Sequence, residues 1–446
     1  MGLKLSHPRH TLPIAKHLRR SRALPIGLTD PREHSASRSE GPSSRHPAGH
    51  GRPRSKKERW WWGRARCGAP ACRGADFRVL GMIRHWRLAI MALLMPSLVA
   101  CGFGSDQTEE VPSPVCASGQ IDGEVVLLTR ADQISPDVID RFERRYAVDV
   151  KELFYETDDE LLSRVTAGAD PFDVVLLRQD LAAILWRGGQ LHTLDPIALP
   201  GRVNLDTQLT QPTSDAEGFY SVPLVWGTVG IGLNVNVVAD TAETSWGLIF
   251  DLSQAWIYAG RVSVLDDPRH VMAAAMFYLG YSPNSMNRDE VREAGRVVAE
   301  AKAHLRGFDS DGYAARLADG GLDLAQGRSD DFMEALSPDS DDFLYSLPRE
   351  GAAIWLEVMA VPITSQHPCS SHSFIDFLLE PRTGAVVADH IGEATANTAS
   401  LSYLMPETAA NRTLYPTLQA RERLVLLDYT EELDLLYAEE FALVAE

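Results

Sequence analysis

The chain has 446 residues, a formal net charge of −18 and 45% hydrophobic residues, which is length enough for two ordinary cores. The charge is unevenly spread: residues 1–100 hold 20 of the 43 Lys and Arg and 5 of the 61 Asp and Glu, so residues 101–446 carry 23 against 56, a formal −33. Such a surface repels nucleic acid and draws cationic partners.

Residues 1–81 are rich in Arg, Ser, Pro, Gly and His, with a basic run at 52–59 beside Trp60-Trp61-Trp62. Lacking a periodic apolar pattern, they cannot bury a core and read as a disordered or non-native extension rather than a nucleic-acid arm. Residues 82–87 are a short cationic lead, and 88–100 a mostly apolar run too short to span a bilayer. Residues 82–100 therefore read as an export signal peptide starting at Met82. The run ends Leu98-Val99-Ala100-Cys101, which resembles the lipobox of bacterial lipoproteins. That resemblance implies lipidation of Cys101 and a place outside the cytoplasm, anchored to a bacterial membrane. Residues 101–121 read as a flexible tether. In an oxidising compartment Cys116 and Cys369 either pair or remain separate thiols.

From residue 124 strands and helices alternate, which predicts parallel βαβ units and an α/β fold. Strands are expected at 124–129, 148–155 and 172–177, with helices at 137–146, 158–167 and 181–187. The acids that open 158–167 suit a helix dipole. The long apolar run 222–234 is a strand whose glycines at 227, 230 and 232 suit close approach by backbone or ligand. A second series follows: a helix at 246–252, a strand at 260–265, helices at 271–279 and 288–303, a weak strand at 323–326 and a helix at 329–336. Residues 348–362 cross back, 373–379 form a helix, and the last helices lie in 421–446.

The run Val222-Pro223-Leu224-Val225-Trp226-Gly227 to Asn234 resembles the hinge strand of periplasmic solute-binding proteins. Further matches are 246–252, Asp266-Asp267-Pro268-Arg269, 348–362, Phe-Leu-Leu-Glu-Pro at 377–381 and Thr-Leu-Tyr-Pro at 413–416. In this order, residues 120–420 resemble the spermidine/putrescine-binding receptors of ABC importers. The resemblance implies a two-lobed type II fold with crossover strands, lobe 1 being 122–228 plus 354–400 and lobe 2 being 229–353 plus 401–446. It also implies a monomer that holds a small solute between the lobes and passes it to an inner-membrane permease.

A polyamine needs carboxylates for its ammonium groups and aromatic walls for its methylenes. By the resemblance, Asp132, Asp267 and Glu357 stand at the family's acids and Trp355 at its crossover Trp. Elsewhere the chain departs: Arg130 and Gln133 replace aromatics, Arg178 and Asp180 a Ser/Tyr pair, His270 an acid, Arg328 a Trp and Glu393 a Tyr. Three arginines oppose a polycation unless each pairs with an acid, and their forks also suit carboxylate or phosphate. A polyamine and a zwitterionic or anionic solute both stay open, as does a sensing role. There is no Gly-x-Ser-x-Gly elbow, Walker loop or His-Glu-x-x-His. The polar loop expected at 367–372 has metal-like residue types but no fourth ligand nearby. No catalytic residue, metal or cofactor is assigned.

Overall fold

The structure is a computed structural model and describes residues 114–445 except 211–212, 216–217, 239–243 and 336–341. The expected extension, signal peptide, Cys101 and most of the tether lie outside the described residues.

The strands are β1 (Val125–Thr129), β2 (Val150–Phe154), β3 (Val174–Arg178), β4 (Val222–Asn234), β5 (Val262–Val264), β6 (Gly307–Phe308), β7 (Leu324–Arg328), β8 (Phe343–Ser346), β9 (Ala352–Ala360), β10 (Ala394–Thr395) and β11 (Leu424–Leu426). Strand β1 as far as Leu128 and β3 as far as Leu177 are apolar and buried, as parallel strands covered by helices on both faces must be. The edge strand β2, Val-Lys-Glu-Leu-Phe, stays half exposed.

The sheet path runs β2-β1-β3-β9-β4-β7-β5-β6. Parallel pairing holds in β2-β1-β3 and in β7-β5-β6, and antiparallel pairing around β9 and β4. These two crossing strands change their outer neighbours midway. Strand β9 pairs β3 through Glu357–Ala360 and β11 through Ala352–Ile354. Strand β4 pairs β10 at Val225 and Trp226, then β7 from Val229 to Leu233. The ladder is thus continuous, and side-chain packing divides it. One core gathers β1, β3 and the first part of β4 around Phe142, Phe172 and Phe374. The other gathers the rest of β4, β5 and β7 around Trp246, Phe332 and Tyr437. Leu414 and Leu424 pack in the first core and Leu427 in the second.

Helix ends follow local chemistry. Pro136–Tyr146 has Pro at its start and buries Val138, Ile139 and Phe142. Asp158–Ala167 is capped by the Thr157 side chain and ended by Gly168 at φ 60°. Pro268–Leu279 is capped by Asp267 and ended by Gly280 at φ 78°.

Several expectations need correction. The helix at 246–252 is broken into Gly247–Phe250 and Leu252–Ala255, because Asp251 caps the second piece by accepting from Ser253 N. Residues 367–372 are no loop: helix Pro368–Leu378 starts there, with Ser370, Ser371 and His372 buried. Their polarity is satisfied across the fold, since Ser370 Oγ accepts from Asp122 N and Gly123 N. The helix Pro381–Ile391 and strands β8 and β10 were not expected, and β11 precedes the last helix, Glu431–Ala445.

Cys116 and Cys369 are joined as a disulfide, with Cα atoms 5.3 Å apart across 253 residues of sequence. It ties the segment entering β1 to the helix at 368–378. Replacing both cysteines with Ser is expected to lower unfolding stability by about 2–5 kcal/mol, read as a lower urea midpoint; an unchanged midpoint would refute the contribution.

Candidate functional site

In each half the parallel strands end at one edge, and those edges face a shared cavity of about 620 Å³. This is the ordinary ligand position in α/β sheets. From the first half, Arg130 follows β1, Arg178 ends β3, and Glu156, Thr157 and Asp158 form a helix start. From the second half, Asp266, Asp267 and His270 follow β5, while Arg328 ends β7 and Asp330 and Asp331 open the next helix. Asp158, Asp330 and Asp331 sit in first helical turns, where the dipole favours an anion.

Every cavity arginine is engaged by a carboxylate. Arg178 donates from Nε to Asp180 Oδ1 at 3.0 Å and from Nη2 to Oδ2 at 2.7 Å. Its Nη1 donates to Asp158 Oδ2 at 2.7 Å, and Arg130 Nη2 donates to Asp158 Oδ1 at 3.0 Å. One aspartate therefore bridges two guanidiniums. Arg328 donates to Asp330 from Nη2 at 2.9 Å and from Nε at 3.2 Å. Seven carboxylates line the cavity against three guanidiniums. Glu156, Asp266, Asp267, Asp311 and Asp331 form no ion pair with these arginines.

Asp267 accepts from His270 N at 3.0 Å, and its Oδ2 lies 3.0 Å from His270 Nδ1. Burial opposes its ionisation, but His270, that backbone bond and Arg178 outweigh burial and hold its carboxyl well below the usual range.

Behind the cavity lies a buried layer. Trp355 on β9 pairs in register with Gly227 on β4. A Cβ at Gly227 would lie 2.6 Å from both Trp355 Cε2 and Ser329 Oγ, so the missing side chain makes room for the indole. Over that ring sits the Arg328 guanidinium, its Cζ 3.9 Å from the centroid. Glu357, two residues along β9 on the same face, pairs with Arg178 on β3. Glu393 directly precedes β10, the neighbour of β4 at Trp226. Both glutamates are buried, and Glu393 Oε2 has no hydrogen-bond partner among the described residues. Burial raises the Glu357 carboxyl above its ordinary value, with Arg130 and Arg328 opposing. Burial and then the Glu357 charge raise Glu393 further still.

The sequence model for the family described as bacterial extracellular solute-binding protein matches residues 137–416. The chain belongs to that family. As a solute-binding protein it is 31% identical over 304 residues to the putrescine/cadaverine-binding protein of Pseudomonas aeruginosa, covering 65% of this chain and 84% of that one. It is 29% identical over 311 residues to the putrescine-binding periplasmic protein PotF of Escherichia coli, covering 67% and 84%. The spermidine/putrescine substrate-binding protein PotD of Streptococcus pneumoniae shares the fold, with a TM-score of 0.65 at 21% identity over 72% of this chain and 98% of that one. These relatives are transport proteins rather than enzymes. The family is one of bacterial extracellular proteins that bind a solute outside the cytoplasm.

Of the expected site residues, Arg130, Arg178, Asp267, His270 and Arg328 line the cavity. Asp180, Trp355, Glu357 and Glu393 support it from behind. Asp132 does not join them: it is exposed at φ 61°, and its charge helps raise the carboxyl of Glu152 on β2, after burial. Sequence reading missed Glu156, Asp158, Asp311, Asp330 and Asp331. Asp158 was read only as a dipole partner, yet a carboxylate in the first turn after a strand end was also the signal for a cleft residue.

Two measurements check this layer. A carboxyl with a raised folded pKa binds protons more tightly folded than unfolded, so its contribution to stability falls as pH rises above the ordinary 4.5. Glu393→Gln is therefore expected to gain thermal stability over the parent as pH rises from about 4 to about 8; parallel midpoints across that range would contradict it. Gly227→Ala is expected to push Trp355 aside, costing about 1–3 kcal/mol and weakening solute binding, whereas unaltered stability and affinity would show that the indole can move freely.

Proposed function

We propose that the solute is a polyamine-like cation of the putrescine or spermidine class, captured in the cavity and delivered to an inner-membrane permease. The observation that carries this reading is the charge inventory. Each arginine is already held by Asp158, Asp180 or Asp330, while five lining carboxylates remain outside those pairs. A group of carboxylates facing one cleft favours ammonium groups. The printed names of the relatives, putrescine/cadaverine-binding and putrescine-binding, support the same class.

One observation favours a zwitterionic solute instead: Arg130 Nε is buried with no hydrogen-bond partner among the described residues and could meet a carboxylate. In either case we read the protein as a monomer tethered by a lipid on Cys101, a reading supported by the apolar run before that cysteine.

Binding raises folding stability with ligand concentration over Kd, by about 2.7 kcal/mol at 100-fold excess. Thermal-shift titration with putrescine, cadaverine, spermidine, neutral amino acids and dicarboxylates is expected to show stabilisation by the polyamines. A shift with an amino acid or dicarboxylate and none with any polyamine would overturn the assignment.

A further inference from the structure

The inner wall of the cavity already holds a cation. Arg328 leaves the end of β7, where its backbone N–H donates to Tyr313 Oη at 2.8 Å. Its side chain turns over the Trp355 ring, with Cζ 3.9 Å from the centroid, and forks onto Asp330. Trp355 in turn lies against Gly227, so the ring cannot retreat without leaving the one position that receives it. A π face within about 6 Å of a cation is an attractive seat for it, more so where water is excluded. Here the seat belongs to the chain itself, and its occupant is fixed by two hydrogen bonds to one carboxylate.

We propose that Arg328 is a specificity-determining residue of the cleft, a resident cation that occupies the Trp355 face and thereby keeps an ammonium group of the solute away from it. The inference rests on reading the cavity as a cation site. The solute's positive charge is then met by the lining acids that no cavity arginine holds, Glu156, Asp266, Asp267, Asp311 and Asp331, of which Asp267 also faces His270 and Asp331 accepts from Tyr313 Oη, while the indole face is closed to it. Two consequences follow from the charge and the geometry. A second ammonium group gains little from reaching inward, so chain length between ammonium groups is weakly discriminated. Removing the resident guanidinium both frees the ring and leaves Asp330 as one further acceptor.

The test compares the parent with R328A and R328M, the second keeping side-chain bulk over the ring without its charge. Each variant is first required to match the parent in far-UV circular dichroism and to unfold cooperatively. Kd values for putrescine and cadaverine are then measured by calorimetry. R328A is expected to bind both diamines about tenfold more tightly than the parent, with R328M between the two or equal to the parent for steric reasons. Gain in R328A supports the proposal whatever affinity the parent shows. Equal or weaker binding in R328A than in a diamine-binding parent overturns this proposal alone. No diamine binding by any of the three proteins overturns both this proposal and the polyamine reading.

Discussion

The antiparallel pairing of β4 with β9 is the constraint on which the cleft depends. Each strand is long enough to serve both halves, and each exchanges its outer neighbour near the middle. Backbone hydrogen bonds cross the boundary without interruption, while the apolar side chains on either side belong to different cores. Because both parallel strand sets attach to the same crossing pair, their carboxyl-terminal ends face one cavity. Gly227 stands at the middle of this pairing, opposite Trp355. There an added side chain would collide with the indole.

The electrostatics of the cleft follow from that placement. Helix first turns arrive at the cavity edge with their acids, and strand ends arrive with their arginines. Isolated, either set would be costly to bury. Together they neutralise one another through Asp158, Asp180 and Asp330, and the excess is acidic. The buried Glu357 and Glu393 lie behind these pairs, where desolvation favours protonation of both and the Glu357 charge adds to it at Glu393. Three arginines that suggest an anion site in isolation are thus parts of a structure whose free charge is negative.

Site legibility was uneven for identifiable reasons. Residues placed at or shortly after strand ends, Arg130, Arg178, Asp267 and Arg328, could be found by combining periodicity with resemblance, and they line the cavity. Asp132 met the same criterion and does not line the cavity; it lies in a left-handed turn, and its charge acts on Glu152 of β2. Asp158 and Asp330 looked like routine helix-start acids. Their role as arginine partners depends on which strand end lies beside each helix. In the 367–372 stretch, Ser, His and Cys suggested a loop, but their hydrogen bonds reach the segment before β1, about 247 residues away.

The sequence by itself determined the alternation of strands and helices, the long crossing strand at 222–234 and the family, because these rest on local periodicity and on turn and cap residues. It also placed the acidic balance of residues 101–446. Only the tertiary structure decided that Cys116 meets Cys369, that each cleft arginine has an acid and that Arg328 lies on Trp355. Those outcomes join residues from distant parts of the chain, and a pairing between charges is set by distances of a few ångströms that no local pattern encodes.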